Sequence, residues 1–143
     1  MKKKDAKRLL GFIRKWDAKN IASEVRSKLL YNMINLKKVE TEIEEAIKAA
    51  QEGLTEEEKD AANVREEVRQ KYQKNNEYVL TEDEVKAVQT ILQWEKVLND
   101  SLMEILDKEI EIKALTSSEF DDIVEKNDMS MEEYEWIVEV LVN

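Results

Sequence analysis

Histidine, cysteine and proline are absent from this chain, and glycine occurs only twice, as Gly11 and Gly53. Each absence removes a class of chemistry. Without imidazole or thiol there is no Ser-His pair, no thiolate nucleophile and no zinc site of the usual kind. Two isolated glycines cannot form a loop that cradles phosphate. The lack of cysteine fits a reducing, intracellular compartment. No apolar run approaches the roughly 20 residues that cross a bilayer, so no membrane span is expected. The basic MKKK start is followed by no apolar stretch or small-residue cleavage site, so a secretory signal peptide is not expected either.

What the chain has in excess is charge. Of its 143 residues 39% are charged, against roughly 25% in a typical soluble domain. Disorder does not follow, because 42% of the residues are apolar and they recur with helical spacing. The charge is unevenly placed. Residues 1–40 hold twelve Lys/Arg and four Asp/Glu, a net of +8, and the remainder holds eleven and twenty-nine, a net of −18. A basic helix packed beside an acidic one is the simplest account. A basic end that meets nucleic acid, and an acidic remainder that mimics it, are two others.

Along the chain, Leu9, Leu10, Phe12, Ile13 and Trp16 form a helical stripe over residues 4–16. After a break near Asp17–Asn20, one long amphipathic helix is predicted from Ala22 to Gln51. Its apolar positions Val25, Leu29, Met33, Leu36, Val39, Ile43, Ile47 and Ala50 recur by threes and fours, like a coiled-coil seam. Gly53 ends it, as a left-handed cap. Thr55-x-x-Glu58, Thr81-x-x-Glu84 and Ser130-x-x-Glu133 are capping boxes that start helices at 56, 82 and 131. The helix from 82 runs to about Asp107, with Val85, Val88, Leu92, Trp94, Leu98, Leu102 and Ile105 inward. A short helix begins at Ser117 or Ser118.

One stretch breaks the helical period. EIEIKAL, residues 109–115, alternates charged and apolar residues as a half-buried strand does. A lone strand needs a partner, and EYVL at 77–80 is the other extended segment, in the same chain or in a second copy. The predicted fold is therefore mainly α: a long helical hairpin or small bundle with one minor two-stranded β element, 77–80 and 109–115. It is read as a single helical domain over 1–143. A basic N-terminal helix occupies 1–20, a helical core 22–107, and a short strand with C-terminal helices 109–143.

This order of features resembles a family of small phage proteins of unknown function. The resemblance lies in the short first helix and the long Lys/Glu-rich LLYNMINLKKVETEIEEA. It continues through Lys71-Tyr72, EIEI at 109–112 and the closing EFDDI…MSMEEYEWIVEVLV. The chain departs from the pattern at 52–70, where EGLTEEEKDAANVREEV is longer. The resemblance implies a viral or prophage origin, with the host cytoplasm or the virion as place of action. It carries no catalytic role to any residue.

Three groups of side chains are candidates for function. Paired carboxylates, Glu42-x-x-Glu45, Glu57-x-x-Asp60 and Glu104-x-x-Asp107, have the spacing with which helices hold Mg²⁺. Such spacings recur by chance among 33 acids, so no catalytic residue, metal or cofactor is assigned. The cluster Lys2, Lys3, Lys4, Lys7, Arg8, Arg14 and Lys15 is a basic patch that could follow phosphates, or lie on an anionic membrane. The acidic segment 119–139, with Asp121, Asp122, Glu132 and Glu133 beside Met131, Tyr134 and Trp136, is a candidate protein interface. Trp94 and Trp136 are otherwise core residues. The expected activity is non-enzymatic binding of a viral or host protein, as a virion or assembly accessory. Inhibition of a host nucleic-acid-binding or defence protein, nucleic-acid binding through the first helix, and self-association are the alternatives.

Overall fold

The computed structural model describes every residue from Met1 to Asn143. A single 3₁₀ turn, Lys3–Asp5, leads into six helices: α1 (Ala6–Lys15), α2 (Ser23–Glu52), α3 (Glu56–Lys74), α4 (Glu82–Leu106), α5 (Ser117–Lys126) and α6 (Met131–Leu141). The chain divides into two compact units. Unit 1 comprises Met1–Ile43 and Ile105–Asn143, and unit 2 comprises Glu44–Glu104. Both α2 and α4 contribute residues to each. No helix is long and apolar enough to cross a membrane.

Local chemistry sets the helix starts. Thr55, Thr81 and Ser130 each accept a hydrogen bond from the N–H three residues on, while Glu58, Glu84 and Glu133 accept from the cap's own N–H. These reciprocal bonds satisfy donors that the first helical turn would leave unpaired. A fourth box opens α5, at Thr116 and Glu119. Gly53 follows α2, but its φ is not positive. The expected left-handed cap is therefore not formed, and the Gly53 N–H simply continues the ladder to Ala49 O at 3.1 Å.

Unit 1 holds the main core. Leu9, Leu10 and Ile13 of α1 meet Val25, Leu29, Leu36 and Val39 of α2, with Phe120 and Ile123 of α5 and Ile137 and Leu141 of α6. Each such side chain contributes roughly 1.5–3 kcal/mol of transfer free energy on full burial. Of the expected seam, Val25, Leu29, Leu36 and Val39 are buried within the chain, whereas Met33 is half-buried and Asn32 is the fully buried residue between Leu29 and Leu36. Three tilted ring pairs extend the core outward: Phe12–Trp136, Trp16–Phe120 and Phe120–Tyr134, with centroids 5.7, 6.3 and 5.4 Å apart.

The predicted two-stranded element is not formed, and no sheet exists. EIEIKAL is extended, but its bridges run to other segments. Glu109 pairs antiparallel with Lys2, and Leu115 pairs parallel with Val142. The bonds are Lys3 N–H to Lys108 O, Ile110 N–H to Met1 O, Leu115 N–H to Leu141 O, and Asn143 N–H to Leu115 O. Between these bridges α2 supplies the partner. Asn32 bonds both backbone groups of Lys113, and Asn35 donates to Glu111 O at 3.3 Å. Its edge is thus satisfied piecemeal by the two ends of the chain and by amide side chains, which leaves no row of groups for EYVL. EYVL itself is an irregular connector between α3 and α4.

Unit 2 contains an antiparallel helical hairpin of α3 and α4, tied by Arg65–Glu95 and by Lys71–Glu84 at 3.1 Å. The inward face of α4 keeps the predicted Val88, Leu98, Leu102 and Ile105 but has Glu84 and Ile91 in place of Val85 and Leu92. Glu84 and Ile91 are buried, and Val88, Glu95, Leu98, Leu102 and Ile105 are half-buried, whereas Val85 and Leu92 are 40% and 51% exposed. The spacing 84-88-91-95-98-102-105 is regular. Two of its positions are glutamates, and their ion pairs with α3 let them occupy an inward face that a hydrophobic pattern alone would place elsewhere.

Candidate functional site

The basic patch of the first helix is largely spent inside unit 1. Lys3 reaches Glu42 at 2.7 Å, Lys2 reaches Asp107 at 3.7 Å, and Arg14 reaches Glu40 at 3.7 Å. Arg8 lies over the Trp136 ring, 4.3 Å from its centroid, and Lys15 lies over Phe12 at 5.8 Å. Lys4 and Lys7 remain exposed. These positions match the simplest account of the charge asymmetry, a basic helix held against acidic neighbours.

The acidic candidate face divides in the same way. Trp136 and Tyr134 pack on Phe12 and Phe120 and are not free anchors. Glu133 caps α6, and Asp122 pairs with Lys126 at 2.9 Å. Glu119 is held by Lys28 at 2.9 Å and by the Thr116 N–H, which together keep its carboxyl below the ordinary range. Asp121 and Glu132 stay exposed, and so does Met131, by 75%. The paired carboxylates do not converge, since no group of three or more acidic side chains is placed to hold a metal ion.

In unit 2 the Glu84 carboxylate is the most perturbed group. It accepts from the Thr81 N–H at 3.0 Å, from the Tyr78 hydroxyl at 2.5 Å and from Lys71 at 3.1 Å. These donors, led by the backbone N–H of Thr81, lower its pKa to about 2. Three donors from within the chain occupy both of its oxygens, so it ties the connector to the hairpin. A broad cleft of about 690 Å³ between the start of α3 and α4 is lined by Trp94, Gln89, Gln93 and Glu57. No buried charge or unpaired buried polar atom points into it.

A surface with free binding capacity lies in unit 1. Two consecutive turns of α2 expose Leu30 by 58% and Ile34 by 49%. Beside Leu30 runs a groove of about 400 Å³ whose apolar lining is Ile13, Trp16, Ala18, Leu29 and Met33, with Arg14 and Arg26 at its sides. Ile13 and Leu29 belong to the core, so the floor is rigid. Leu30 and Ile34 were not among the candidates expected from sequence. The signal was present, however, because they sit beside the seam rather than on it, on a helix whose seam was already complete without them.

Compared with protein-family models, with curated proteins and with solved structures, the chain matches none.

Proposed function

We propose that this chain is a non-catalytic helical protein that acts by docking another protein, as a virion or assembly accessory of the phage type, in the host cytoplasm or the virion. The observation that carries the reading is the apolar groove of unit 1, lined in part by exposed Leu30, with exposed Ile34 one turn further along α2. Helix surfaces facing water are normally polar, and adjoining apolar residues over a preformed groove are what a partner helix or loop covers. The composition supports a non-catalytic reading, since the chain has no histidine or cysteine to serve as imidazole base or thiolate nucleophile. The order of motifs that resembles small phage proteins supports the setting.

A second reading, an acidic inhibitor of a host nucleic-acid-binding or defence protein, is favoured by one feature. Met131 stands exposed at the start of α6, on the same helix as exposed Glu132 and Glu135. Nucleic-acid binding through the first helix draws less support, because Lys3 is paired with Glu42 and Arg8 lies over Trp136.

The test is affinity capture of the full chain and of its Leu30→Asp/Ile34→Asp variant from the same cells. Proteins held by the first and lost by the second support docking through the groove. An identical set for both sinks it, and loss on reversing Asp121 and Glu132 instead favours the second reading.

A further inference from the structure

We propose, resting on the protein-docking reading above, that the α1–α2 groove takes an acidic amphipathic helix of a different protein, with aliphatic residues along one face and carboxylates beside them. Arg26, Leu30, Ile34 and Lys37 follow one another at intervals of four, four and three residues, so they share one line on α2. At 1.5 Å per residue this basic–apolar–apolar–basic stripe is roughly 17 Å long, about three helical turns of a partner. Arg14 adds a third cation on the α1 wall of the groove. None of the ion pairs in the chain engages Arg26 or Lys37. Arg14 has one partner, Glu40, at 3.7 Å, with its own side chain 48% exposed.

The two features together select the occupant. A trough between two helices receives a third through residues spaced i, i+3, i+4 and i+7. Leu30, Ile34 and the floor at Trp16 and Met33 are the surfaces such residues would cover. Cations at both ends and on one wall favour carboxylates on the flanks of that helix and reject a basic one. A second copy docking by two-fold symmetry would set Arg14, Arg26 and Lys37 against their own duplicates, which opposes self-association here. A phosphate backbone would meet the cations but leave the apolar centre of the stripe in water.

The experiment measures fluorescence anisotropy of three labelled helical peptides with the full chain. The first carries leucines at helical spacing flanked by glutamates. The second has the same leucines flanked by lysines, and the third has the glutamates with serines for leucines. The acidic leucine peptide is expected to bind at least about tenfold tighter than either control at low salt. The variant Arg14→Glu/Arg26→Glu/Lys37→Glu is expected to reverse the order of the first two. Leu30→Ser/Ile34→Ser is expected to remove binding while leaving the circular dichroism unchanged.

Equal or tighter binding of the lysine peptide overturns the acidic partner and leaves protein docking standing. Equal binding of the serine peptide, or competition by an oligonucleotide, overturns the apolar recognition. A dimer that Leu30→Ser/Ile34→Ser dissociates overturns the proposal in favour of a second copy. If no peptide binds although Leu30→Asp/Ile34→Asp loses its captured partner, the helical occupant is wrong and docking survives. If that capture is also unchanged, both readings fall.

Discussion

The Asn32 side chain of α2 hydrogen-bonds both backbone groups of Lys113, accepting from its N–H at 2.6 Å and donating to its carbonyl at 2.8 Å. A neighbouring strand would offer the same donor and acceptor, so one amide stands in for a strand partner. Asn32 is fully buried in a helix face that is otherwise apolar. It occupies the spacing 25-29-32-36-39, a polar residue set in the middle of a hydrophobic seam. Its cost in that position is offset only while Lys113 is in register.

Replacement of Asn32 should therefore destabilise the fold far more than a surface change. Asn32→Leu leaves the Lys113 backbone groups unpaired, and a loss of about 2–4 kcal/mol is expected. Urea unfolding at unchanged slope checks this. An effect below about 0.5 kcal/mol would mean that water replaces the amide freely.

Glu84 makes stability depend on pH. Its folded pKa, about 2, lies below its ordinary value of 4.5. A depressed carboxylate pKa contributes stability above the unfolded pKa, and that contribution is lost as pH falls toward the folded one. Melting temperature should thus decline between about pH 5 and pH 2. Glu84→Gln should lower it at neutral pH and flatten that part of the decline. A parallel pH profile for the variant would contradict the assignment.

The box at the start of α5 can be tested alone. Thr116 accepts from the Glu119 N–H at 3.2 Å, so Thr116→Ala should cost about 1 kcal/mol. Thr116→Ser should cost much less, since the hydroxyl is kept. Equal losses for the two would point to the methyl group rather than to the cap.

Leu30 and Ile34 should behave oppositely to the core. Changing both to aspartate removes exposed apolar surface and no core contact, so stability should stay within about 0.5 kcal/mol. Leu36→Ala, at a fully buried neighbour, should cost about 2–5 kcal/mol. Comparable losses at both sites would mean that Leu30 and Ile34 are covered within the chain.

Hydrogen exchange should separate the two units. The apolar core cluster lies in unit 1, whereas unit 2 buries only Ala61, Val68 and Ile91 among its apolar side chains. Amides of α3 and of α4 up to Glu104 should therefore exchange faster than those of α1 and of α2 near Leu36. The reverse order would show that helix length, not burial, sets protection here.

By itself the sequence determined the helices and most of their starts. Capping boxes and helical periods are local, and they act through groups within one turn of each other. The boxes at Thr55, Thr81 and Ser130 were legible for that reason, and Thr116-x-x-Glu119 carried the same signal unread. Tertiary structure decided what local pattern cannot encode. Alternation in EIEIKAL announced an extended segment, but its partners lie at the two ends of the chain and on Asn32, which no spacing rule connects. On α4 the period found Val88, Leu98, Leu102 and Ile105 but missed the inward Glu84 and Glu95, which are stabilised there by Lys71 and Arg65 on another helix. The groove beside Leu30 exists only because α1 folds back on α2. Exposure and ion pairing arise between elements distant in sequence, so only the packed chain shows which apolar and charged side chains remain free to bind.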